Sequence, residues 1–301
     1  MTVVVTGSAG FIGGAVVAEL GSRGVAVVGV DRRETPTPAA HLVLTGDLLD
    51  RDELVDAAFE SADAVLHLAG CPGVRDDTPD VRRRRTRDNV DATARVLAAV
   101  PARVPVVVAS SSSVYGGSAH APSEESHSLS PLGGYARSKV AVEQLCARRA
   151  AAGGAVTVVR PFTVAGEGQR PDMAIARWIA AAEAGLPLQV YGSLQRTRDV
   201  TDVRDVARVL AQLVEPGRAP GGVLNIGTGR PHSLAAIVAA VAAATGTDVR
   251  TRVTAAAAVE SPDTWACTNR LQAVVGFVPR TDLDAVVARQ VAVSHAMADA
   301  P

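Results

Sequence analysis

Lysine is almost absent from this chain of 301 residues. Of its 30 basic side chains, 29 are arginines, and the one lysine is Lys139. Arginine replaces lysine readily at a solvated surface, but it is a poor substitute where a compact ammonium must lie beside another group. Lys139 follows Tyr135 by about one helical turn. This pair is therefore the first candidate for chemistry, with the tyrosine as the proton-transfer group.

A strong net charge and long apolar runs are also missing. The formal net charge is −1, which gives no electrostatic reason to expect nucleic acid or an anionic membrane as a partner. No apolar run approaches the roughly 18 residues of a membrane-spanning helix. The N-terminus begins directly with a valine-rich strand pattern and lacks a basic leader segment, so we expect no signal peptide.

Cysteine is scarce, and histidine lacks the spacing of a metal site. The three cysteines, Cys71, Cys146 and Cys267, are far apart in sequence and form no CxxC pair. We expect them to be reduced and buried, which suits a cytoplasmic protein. The six histidines show no ligand motif such as HExxH, so we expect no metal.

The sequence does contain a regular alternation of apolar runs and helical patterns. The predicted buried strands are Val3–Val5, Val25–Val30, His41–Leu44, Ala64–Leu68, Val104–Ala109 and Val156–Val159. The predicted helices are Phe11–Leu20, Arg51–Glu60, Asp88–Val100 and Tyr135–Ala151. Apolar strands alternating with helices indicate an α/β fold with a doubly wound parallel sheet covered on both faces.

Prolines loosen this pattern from Pro161 onward. We expect residues 1–160 to form a nucleotide-binding domain of the Rossmann type, to which residues 199–227 return. Residues 161–198 and 228–301 are expected to form a smaller C-terminal α/β lobe that binds the substrate over the carboxyl edge of the sheet.

The densest basic run is Arg82–Arg85. A run of four arginines is typical of a solvated helix start or loop, and this is the interpretation we favour. Contact with a phosphate group or a partner is the alternative.

A glycine-rich turn, Thr6–Gly13, joins the first predicted strand to the first predicted helix. Glycines in this place permit a tight turn and let backbone N–H groups and the helix N-terminus approach a pyrophosphate. Asp31 ends the second strand, where a carboxylate can accept hydrogen bonds from both ribose hydroxyls and repel a 2′-phosphate. This favours NAD over NADP, although Arg32 and Arg33 weaken the preference because an arginine can accept that phosphate.

Two further strand ends complete the predicted cofactor site. Asp47 and Leu48 follow the third strand, where the carboxylate would lie near the adenine, and an ordinary strand-to-helix turn is the alternative. Small residues end the fourth strand and would let the cofactor pass closely. The predicted NAD contacts are Gly7, Gly10, Phe11, Ile12, Gly13, Asp31, Arg32, Asp47, Leu48, Leu68, Ala69, Gly70, Asn89, Tyr135 and Lys139.

These motifs together resemble one known family. The turn TGxxGxxG, Asp31, the run HLAG at 67–70, Ser111 with VYG at 114–116, and Tyr135-xxx-Lys139 are similar to the extended short-chain dehydrogenases/reductases. More narrowly they resemble the nucleotide-sugar epimerases and dehydratases, from Val3 to about Val291. The resemblance implies a catalytic triad of Ser111, Tyr135 and Lys139. It also implies a homodimer joined through the helices Asp88–Val100 and Tyr135–Ala151.

The triad gives a coherent chemistry. Tyr135, as phenolate, would take the proton of a substrate hydroxyl while the adjacent carbon passes a hydride to the nicotinamide. Lys139 would lower the pKa of Tyr135 by its charge and hydrogen-bond the nicotinamide ribose. Ser111 would donate to the same substrate oxygen as it becomes a carbonyl.

The residues around the triad narrow the reaction. The resembled dehydratases and decarboxylases carry an acid just after the catalytic hydroxyl residue, whereas this chain has Ser112 and Ser113. Thr163, followed by Arg170 in the run QRPDM, resembles the UDP-glucuronic acid 4-epimerases. There, a threonine and a serine cluster hold the sugar carboxylate and the arginine contacts the nucleotide. Turn and capping roles for these hydroxyls are the alternative.

Two more arginines are predicted substrate contacts by the same resemblance. Arg75 follows the fourth strand in the run GVR, and Arg198 stands where the family binds the diphosphate, with a surface salt bridge as its alternative. One departure concerns the segment Ala255–Asp263, which lacks the family's second diphosphate-binding arginine. Either another arginine such as Arg252 substitutes, or the substrate is not a standard nucleoside diphosphate sugar.

The sequence therefore predicts an enzyme that uses NAD to epimerise C4 of a nucleotide-linked uronic acid, UDP-glucuronate or UDP-galacturonate, through a transient 4-keto intermediate. A UDP-glucose/galactose-type 4-epimerase and a UDP-glucuronate decarboxylase are the enzymatic alternatives. A regulatory protein that binds NAD without catalysis is the alternative from another class. An intact Tyr135–Lys139 pair argues against that class, since a sensor does not need a proton relay.

Overall fold

Seven parallel strands form the central sheet of the computed structural model, which describes residues 1–34, 39–76, 78–118 and 122–298. The strands are β1 (Thr2–Thr6), β2 (Ala26–Asp31), β3 (Leu42–Thr45), β4 (Ala64–His67), β5 (Val106–Ala109), β6 (Val156–Pro161), β7 (Val164–Ala165), β8 (Leu188–Tyr191), β9 (Thr197–Arg198), β10 (Thr201–Asp202), β11 (Gly222–Ile226), β12 (His232–Ser233) and β13 (Thr251–Thr254). The helices are α1 (Phe11–Ser22), α2 (Glu53–Ser61), α3 (Val81–Arg85), α4 (Ala92–Ala99), α5 (Gly133–Ala151), α6 (Ala174–Glu183), α7 (Val203–Leu213), α8 (Leu234–Thr245), α9 (Asn269–Val275) and α10 (Leu283–Ala298).

The central sheet has the strand order β11-β6-β5-β4-β1-β2-β3. Every neighbouring pair in it is parallel. The chain builds outward from β1 to β3 and then crosses back to β4, so the order reverses between β1 and β4. Ligands of such sheets bind at the carboxyl ends of the strands beside this reversal. The topology therefore places the glycine turn after β1 next to the end of β4.

Helices cover both faces of the sheet, as the alternating pattern predicts. On one face α1, α7 and α9 bury an apolar cluster against the strands, with Val17, Leu210 and Leu271 among its members. On the other face α2, α4 and α5 bury a second cluster that includes Phe59 and Val96. The valine-rich central strands are buried on both sides. The predicted doubly wound α/β fold is confirmed.

A third apolar cluster lies in the C-terminal half. It joins α6, α8 and α10 with β8, and it includes Trp178, Ile237 and Val287. By contrast, β11 pairs with β6 of the central sheet and α7 packs on α1. These contacts support the return of residues 199–227 to the nucleotide-binding domain, and the division of the chain into two domains stays a proposal.

Several element boundaries differ from the sequence-based expectation. β3 begins one residue later than predicted, and α5 begins at Gly133, two residues before Tyr135. The predicted helix Asp88–Val100 is wrong at its start, because residues Thr86–Asp91 form a π-helical turn and α4 covers only Ala92–Ala99. An extra residue in a helical turn shifts the faces of the flanking helices. The hydrophobic period alone did not reveal this shift.

The arginine run is only partly solvated. Arg82 and Arg83 are exposed on α3, as expected. Arg85, however, is 7% exposed, and its Nη2 donates to the carbonyl oxygens of Gly73 at 2.5 Å and Asp76 at 3.0 Å. The solvated interpretation is therefore wrong for Arg85, because α3 turns this one side chain inward onto the loop after β4.

The cysteines are free thiols, and two of the three are buried. Cys71 and Cys146 are buried, whereas Cys267 is partly exposed. The expectation of burial is thus wrong for Cys267. None of the helices in the described parts of the chain combines the length and the apolar character that a bilayer crossing needs.

Candidate active site

The glycine turn brings the backbones of two strand ends together. Gly7 has a φ of +74°, and a Cβ placed there would lie 2.7 Å from the amide nitrogen of Ala69, just beyond β4. A Cβ on Gly13 would collide with the carbonyl oxygen of Gly7. Only glycine fits either position. The turn has no side chain at Gly7, Gly10 and Gly13, so its backbone at the N-terminus of α1 can approach a pyrophosphate closely.

Asp31 lies beside this cradle. Its Oδ2 accepts a hydrogen bond from the amide of Ala9 at 3.1 Å, and its Oδ1 accepts one from the amide of Arg33 at 3.0 Å. The guanidinium of Arg33 donates to the carbonyl oxygen of Ala9 at 2.5 Å. The carboxylate is therefore fixed at the end of β2, where a ribose would lie in a dinucleotide of this fold. These groups fit NAD.

Carboxylates surround Arg32. Its guanidinium pairs with Asp88 at 3.0 Å and lies 3.7 Å from Asp47. Asp47 also accepts a hydrogen bond from Arg87 at 2.7 Å and from the amide of Leu49 at 3.0 Å. Burial raises the pKa of Asp47, but these two hydrogen bonds bring it below its ordinary value. With two carboxylates nearby, Arg32 is a poorer acceptor of a 2′-phosphate than the sequence alone suggests.

His67 ties the end of β4 to its neighbours. Its Nδ1 lies 2.7 Å from Thr6 Oγ1, and its Nε2 lies 3.0 Å from Thr93 Oγ1. Burial, together with the charge of Lys139, lowers the pKa of His67 to about 3, so the ring is neutral. The residues that follow it, Leu68, Ala69 and Gly70, are thereby held against the glycine turn. The sequence analysis predicted Leu68, Ala69 and Gly70 as cofactor contacts, but no sequence feature indicated the two hydrogen bonds of the His67 ring.

Asn89 holds the backbone after Gly70. Its Oδ1 accepts from the amide of Cys71 at 2.7 Å, and its Nδ2 donates to the carbonyl of Cys71 at 3.1 Å and to Ser138 Oγ at 2.8 Å. A Cβ on Gly70 would lie 2.6 Å from the same amide oxygen. Asn89 thus fastens the end of β4 to α5, and its predicted contact with the cofactor stays a prediction.

The structure brings Ser111, Tyr135 and Lys139 together between β5 and α5. Ser111 precedes a 3₁₀ turn, Ser112–Tyr115, and its Oγ accepts from the amide of Ser113 at 3.2 Å. Lys139 is 7% exposed, and its Nζ donates to the carbonyl of Ala109 at 2.8 Å. The same Nζ lies 6.0 Å from the ring centroid of Tyr135. Burial lowers the pKa of Lys139 to about 8.

Two arginines contribute to the pKa of Tyr135. Burial raises the pKa of Tyr135, and a hydrogen bond with Ser111 and the charges of Arg170 and Arg85 lower it. The ammonium of Lys139 donates to the carbonyl of Ala109, and its expected part in lowering the pKa of Tyr135 stays a prediction. Sequence reasoning missed Arg85 here, since nothing distinguishes it from the arginines before it.

A buried polar network lies behind these residues. Arg160 and Glu143 form a two-pronged ion pair, with nitrogen–oxygen distances of 2.9 and 2.6 Å, and their side chains are 4% and 9% exposed. Ser110, next to Ser111, donates to Glu143 at 2.5 Å. Arg160 also donates to the hydroxyl of Tyr115 at 2.7 Å, which in turn donates to Asn225 at 2.8 Å. The network connects β5, α5, β6 and β11.

A cavity of about 220 Å³ opens between Thr163 and the C-terminal half. Thr163, Arg75 and Arg198 all line it, as does Glu260. Arg170 is not among its lining residues and pairs with Asp172 at 2.7 Å. The structure thus brings Arg75, Thr163 and Arg198 to one cavity, while Arg170 lies near Tyr135. Among the described residues no cluster of three His, Cys, Asp or Glu side chains is arranged to hold a metal ion.

The comparisons with known proteins agree with this geometry. MoeE5, solved in one complex with UDP-glucuronic acid and NAD, is 40% identical with a TM-score of 0.90, over 99% of this chain and 100% of that chain. A second MoeE5 complex holds UDP-glucose and NAD, with a TM-score of 0.89. The uncharacterized UDP-glucose epimerase YtcB of Bacillus subtilis (strain 168) is 31% identical over 299 residues, or 94% of each chain.

A further relative is the probable UDP-glucuronate 4-epimerase of Rhizobium meliloti (strain 1021). It is 30% identical over 327 residues, which cover 96% of this chain and 95% of that protein. Residues 3–227 match the model of the NAD dependent epimerase/dehydratase family. The match spans the glycine turn, Asp31 and the Ser111, Tyr135 and Lys139 group. The chain therefore belongs to the NAD dependent epimerase/dehydratase family, and it is an enzyme whose cofactor is NAD.

Proposed function

We propose that the protein interconverts a nucleotide-linked uronic acid with its C4 epimer, UDP-glucuronate and UDP-galacturonate being the expected pair. The observation that carries this proposal is the hydroxyl of Ser113. Its Oγ is buried and has no hydrogen-bond partner among the described residues. Buried hydroxyls are almost always paired, so the unpaired Oγ of Ser113, two residues after Ser111, has a hydrogen bond left for a ligand. A sugar carboxylate would accept its hydrogen bond.

The position of Thr163 supports the same assignment. Ser113 follows β5 and Thr163 follows β6, and these strands are parallel neighbours paired at Ala109 and Val159. The ring of Tyr115, two residues after Ser113, and the ring of Phe162, next to Thr163, have centroids 6.2 Å apart. The two turns therefore lie side by side, where Ser112, Ser113 and Thr163 can hold one carboxylate.

Neutral hydroxyls suit a uronic acid for a chemical reason. Oxidation at C4 makes a β-keto acid, which loses CO2 easily when its carboxylate rotates out of the ring plane. Hydroxyl donors restrain the carboxylate without supplying an acid. Arg170 and Arg85 lower the pKa of Tyr135 by their positive charge, and cations close to the reacting hydroxyl favour an anionic sugar.

Each residue of the triad has a different role in the reaction at C4 and O4 of the sugar. When bound, NAD supplies the acceptor and donor of the hydride exchanged at C4. Tyr135 takes the proton from O4 and returns it once the sugar has presented its other face. Ser111 hydrogen-bonds O4 as it becomes a carbonyl oxygen. Lys139 is the residue we assign to the cofactor's ribose, and Arg170 and Arg85 favour the ionised form of Tyr135.

The deciding experiment offers UDP-glucuronate and UDP-glucose separately and identifies the products by proton NMR. We expect UDP-galacturonate from the first. The paired variants Ser113→Ala and Thr163→Val should each lower turnover of UDP-glucuronate by roughly 10-fold or more, as expected for loss of a buried hydrogen bond to a charge. Tyr135→Phe should abolish turnover and retain NAD. Formation of a UDP-pentose with CO2 would instead identify a decarboxylase.

A UDP-glucose 4-epimerase is the second candidate. It is favoured by the MoeE5 complex with UDP-glucose and by the name of the Bacillus subtilis relative. In that case UDP-galactose would form, and Ser113→Ala would affect UDP-glucose as strongly as UDP-glucuronate.

A further inference from the structure

Glu260 places a negative charge in the wall of the cavity that Thr163 and Arg75 line. It stands in the segment Ala255–Asp263, where the family resemblance predicts a diphosphate-binding arginine. Its side chain is 5% exposed and forms an ion pair with Nε of Arg75, whose side chain is 41% exposed. A buried carboxylate beside a diphosphate is unfavourable unless another interaction stabilises it. Here that interaction is the ion pair with Arg75.

The segment that carries Glu260 is fastened to β9. Arg198 donates from Nη2 to the carbonyl of Ser261 and from Nη1 to the carbonyl of Pro262, both at 3.0 Å. Asp263 accepts from the amide and the hydroxyl of Thr197 at 2.7 and 2.8 Å. Both terminal nitrogens of Arg198 thus donate to backbone carbonyls of the segment that carries Glu260. These hydrogen bonds fix the position of Glu260.

Arg75 is held in a defined orientation by two contacts. Glu260 binds its Nε edge, and the ring of Tyr191 lies under the guanidinium with 4.2 Å from Cζ to the ring centroid. Among the described residues, no hydrogen bond engages its two terminal nitrogens. A guanidinium fixed at one edge and one face presents its outer edge as a fork, the form that binds phosphate oxygens in a bidentate manner.

We propose that Arg75 supplies the diphosphate clamp of this enzyme and that Glu260 is the positioning residue that orients it. This inference rests on the proposed function, since it names the residues that bind the diphosphate of the same substrate. Arg198 is a second positioning residue, acting through the backbone at 261 and 262. An arginine side chain carries about 2 kcal/mol of rotamer entropy. A carboxylate that restrains Arg75 beforehand reduces the entropy cost of diphosphate binding.

The test is the affinity of the NAD-loaded protein for UDP and for uridine, measured by calorimetry. Arg75→Gln should weaken UDP binding roughly 10- to 100-fold, as expected for loss of a charge-assisted hydrogen bond, and leave uridine binding unchanged. Glu260→Gln should weaken UDP binding in the same direction by about 5-fold or more. In the Arg75→Gln background, Glu260→Gln should have no further effect. Glu215→Gln is the matched control, because Glu215 also pairs with an arginine, Arg23, far from the cavity.

Three outcomes would overturn the inference. If Glu260→Gln tightens UDP binding, the carboxylate opposes the diphosphate directly. If it weakens UDP binding equally in the Arg75→Gln background, or weakens uridine binding as well, it acts through the fold of the segment. If Arg252→Gln removes UDP affinity and Arg75→Gln does not, the clamp is Arg252. A protein that binds UDP as expected but turns over no uronic acid refutes the proposed function alone.

Discussion

Replacing Lys139 by methionine should stabilise the folded protein while it destroys activity. The side chain is 7% exposed, and burial lowers its pKa from 10.5 to about 8. The unfolded chain holds the same proton with an ordinary pKa, so the charged form is disfavoured in the folded state by about 3 kcal/mol at pH 7. Methionine has a similar length and no charge. The variant also loses the hydrogen bond from Lys139 to the carbonyl of Ala109, which reduces its expected stabilisation by about 1 kcal/mol.

The dependence on pH distinguishes this cause from simple repacking. Between about pH 8 and 10.5 the unfolded chain keeps the proton of Lys139 and the folded chain has lost it. The free energy of unfolding of the wild type therefore rises with pH through this window, relative to that of Lys139→Met. About 2 kcal/mol of the advantage of the variant should be gone by pH 9.5. Tyrosines and cysteines also titrate there, but they are the same in both proteins.

Urea unfolding of both proteins, followed by tryptophan fluorescence after removal of bound nucleotide, measures this difference at pH 7 and pH 9.5. The difference in free energy of unfolding between the two proteins should shrink as the pH rises. A difference of equal size at both pH values would show that burial does not lower the pKa of Lys139.

Three further substitutions test the site. Lys139→Arg keeps the charge, yet it should reduce turnover at least 100-fold, because a guanidinium does not fit the space of an ammonium between Ala109 and Tyr135; near-normal turnover would contradict the role of the lysine. Glu143→Gln leaves Arg160 as a buried charge without its partner and should cost about 3–5 kcal/mol in urea unfolding, whereas the exposed pair tested by Glu215→Gln should cost under about 1 kcal/mol. Gly13→Ala should abolish NAD binding and lower the melting temperature, because its Cβ meets the carbonyl of Gly7; Gly14→Ala, whose nearest contact is an ordinary 3.8 Å, should do neither.

The parts of the site that could be predicted are those encoded within one segment of the chain. The glycine turn, with Asp31 at the end of β2, follows from a strand, a turn and a helix read in order. Lys139 and Tyr135 lie one turn apart on a single helix, so their proximity also needed no tertiary information. Burial on both faces made the central strands recognisable as continuous apolar runs.

The parts that could not be predicted depend on side chains from distant segments. The burial of Arg85 depends on how α3 meets the loop after β4, and no feature of the arginine run encodes it. Two of the backbone carbonyls that accept from Arg198, those of Ser261 and Pro262, lie more than 60 positions away, so no local pattern indicates these hydrogen bonds. Arg75 and Glu260 are far apart in the chain. Only the structure shows that the carboxylate in the segment without the expected arginine forms an ion pair with Arg75.

The polar network behind Ser111 has a consequence for the order in which the enzyme matures. Ser110, Glu143, Arg160 and Tyr115 all lie before residue 161, but the last acceptor, Asn225, is on β11. A nascent chain that has emerged only through β6 holds these buried groups without their final partner. The same Asn225 secures the backbone of Ser123 at 2.8 Å. Synthesis must therefore pass residue 225 before this network can be completed, and the first 160 residues alone leave the hydroxyl of Tyr115 without that acceptor.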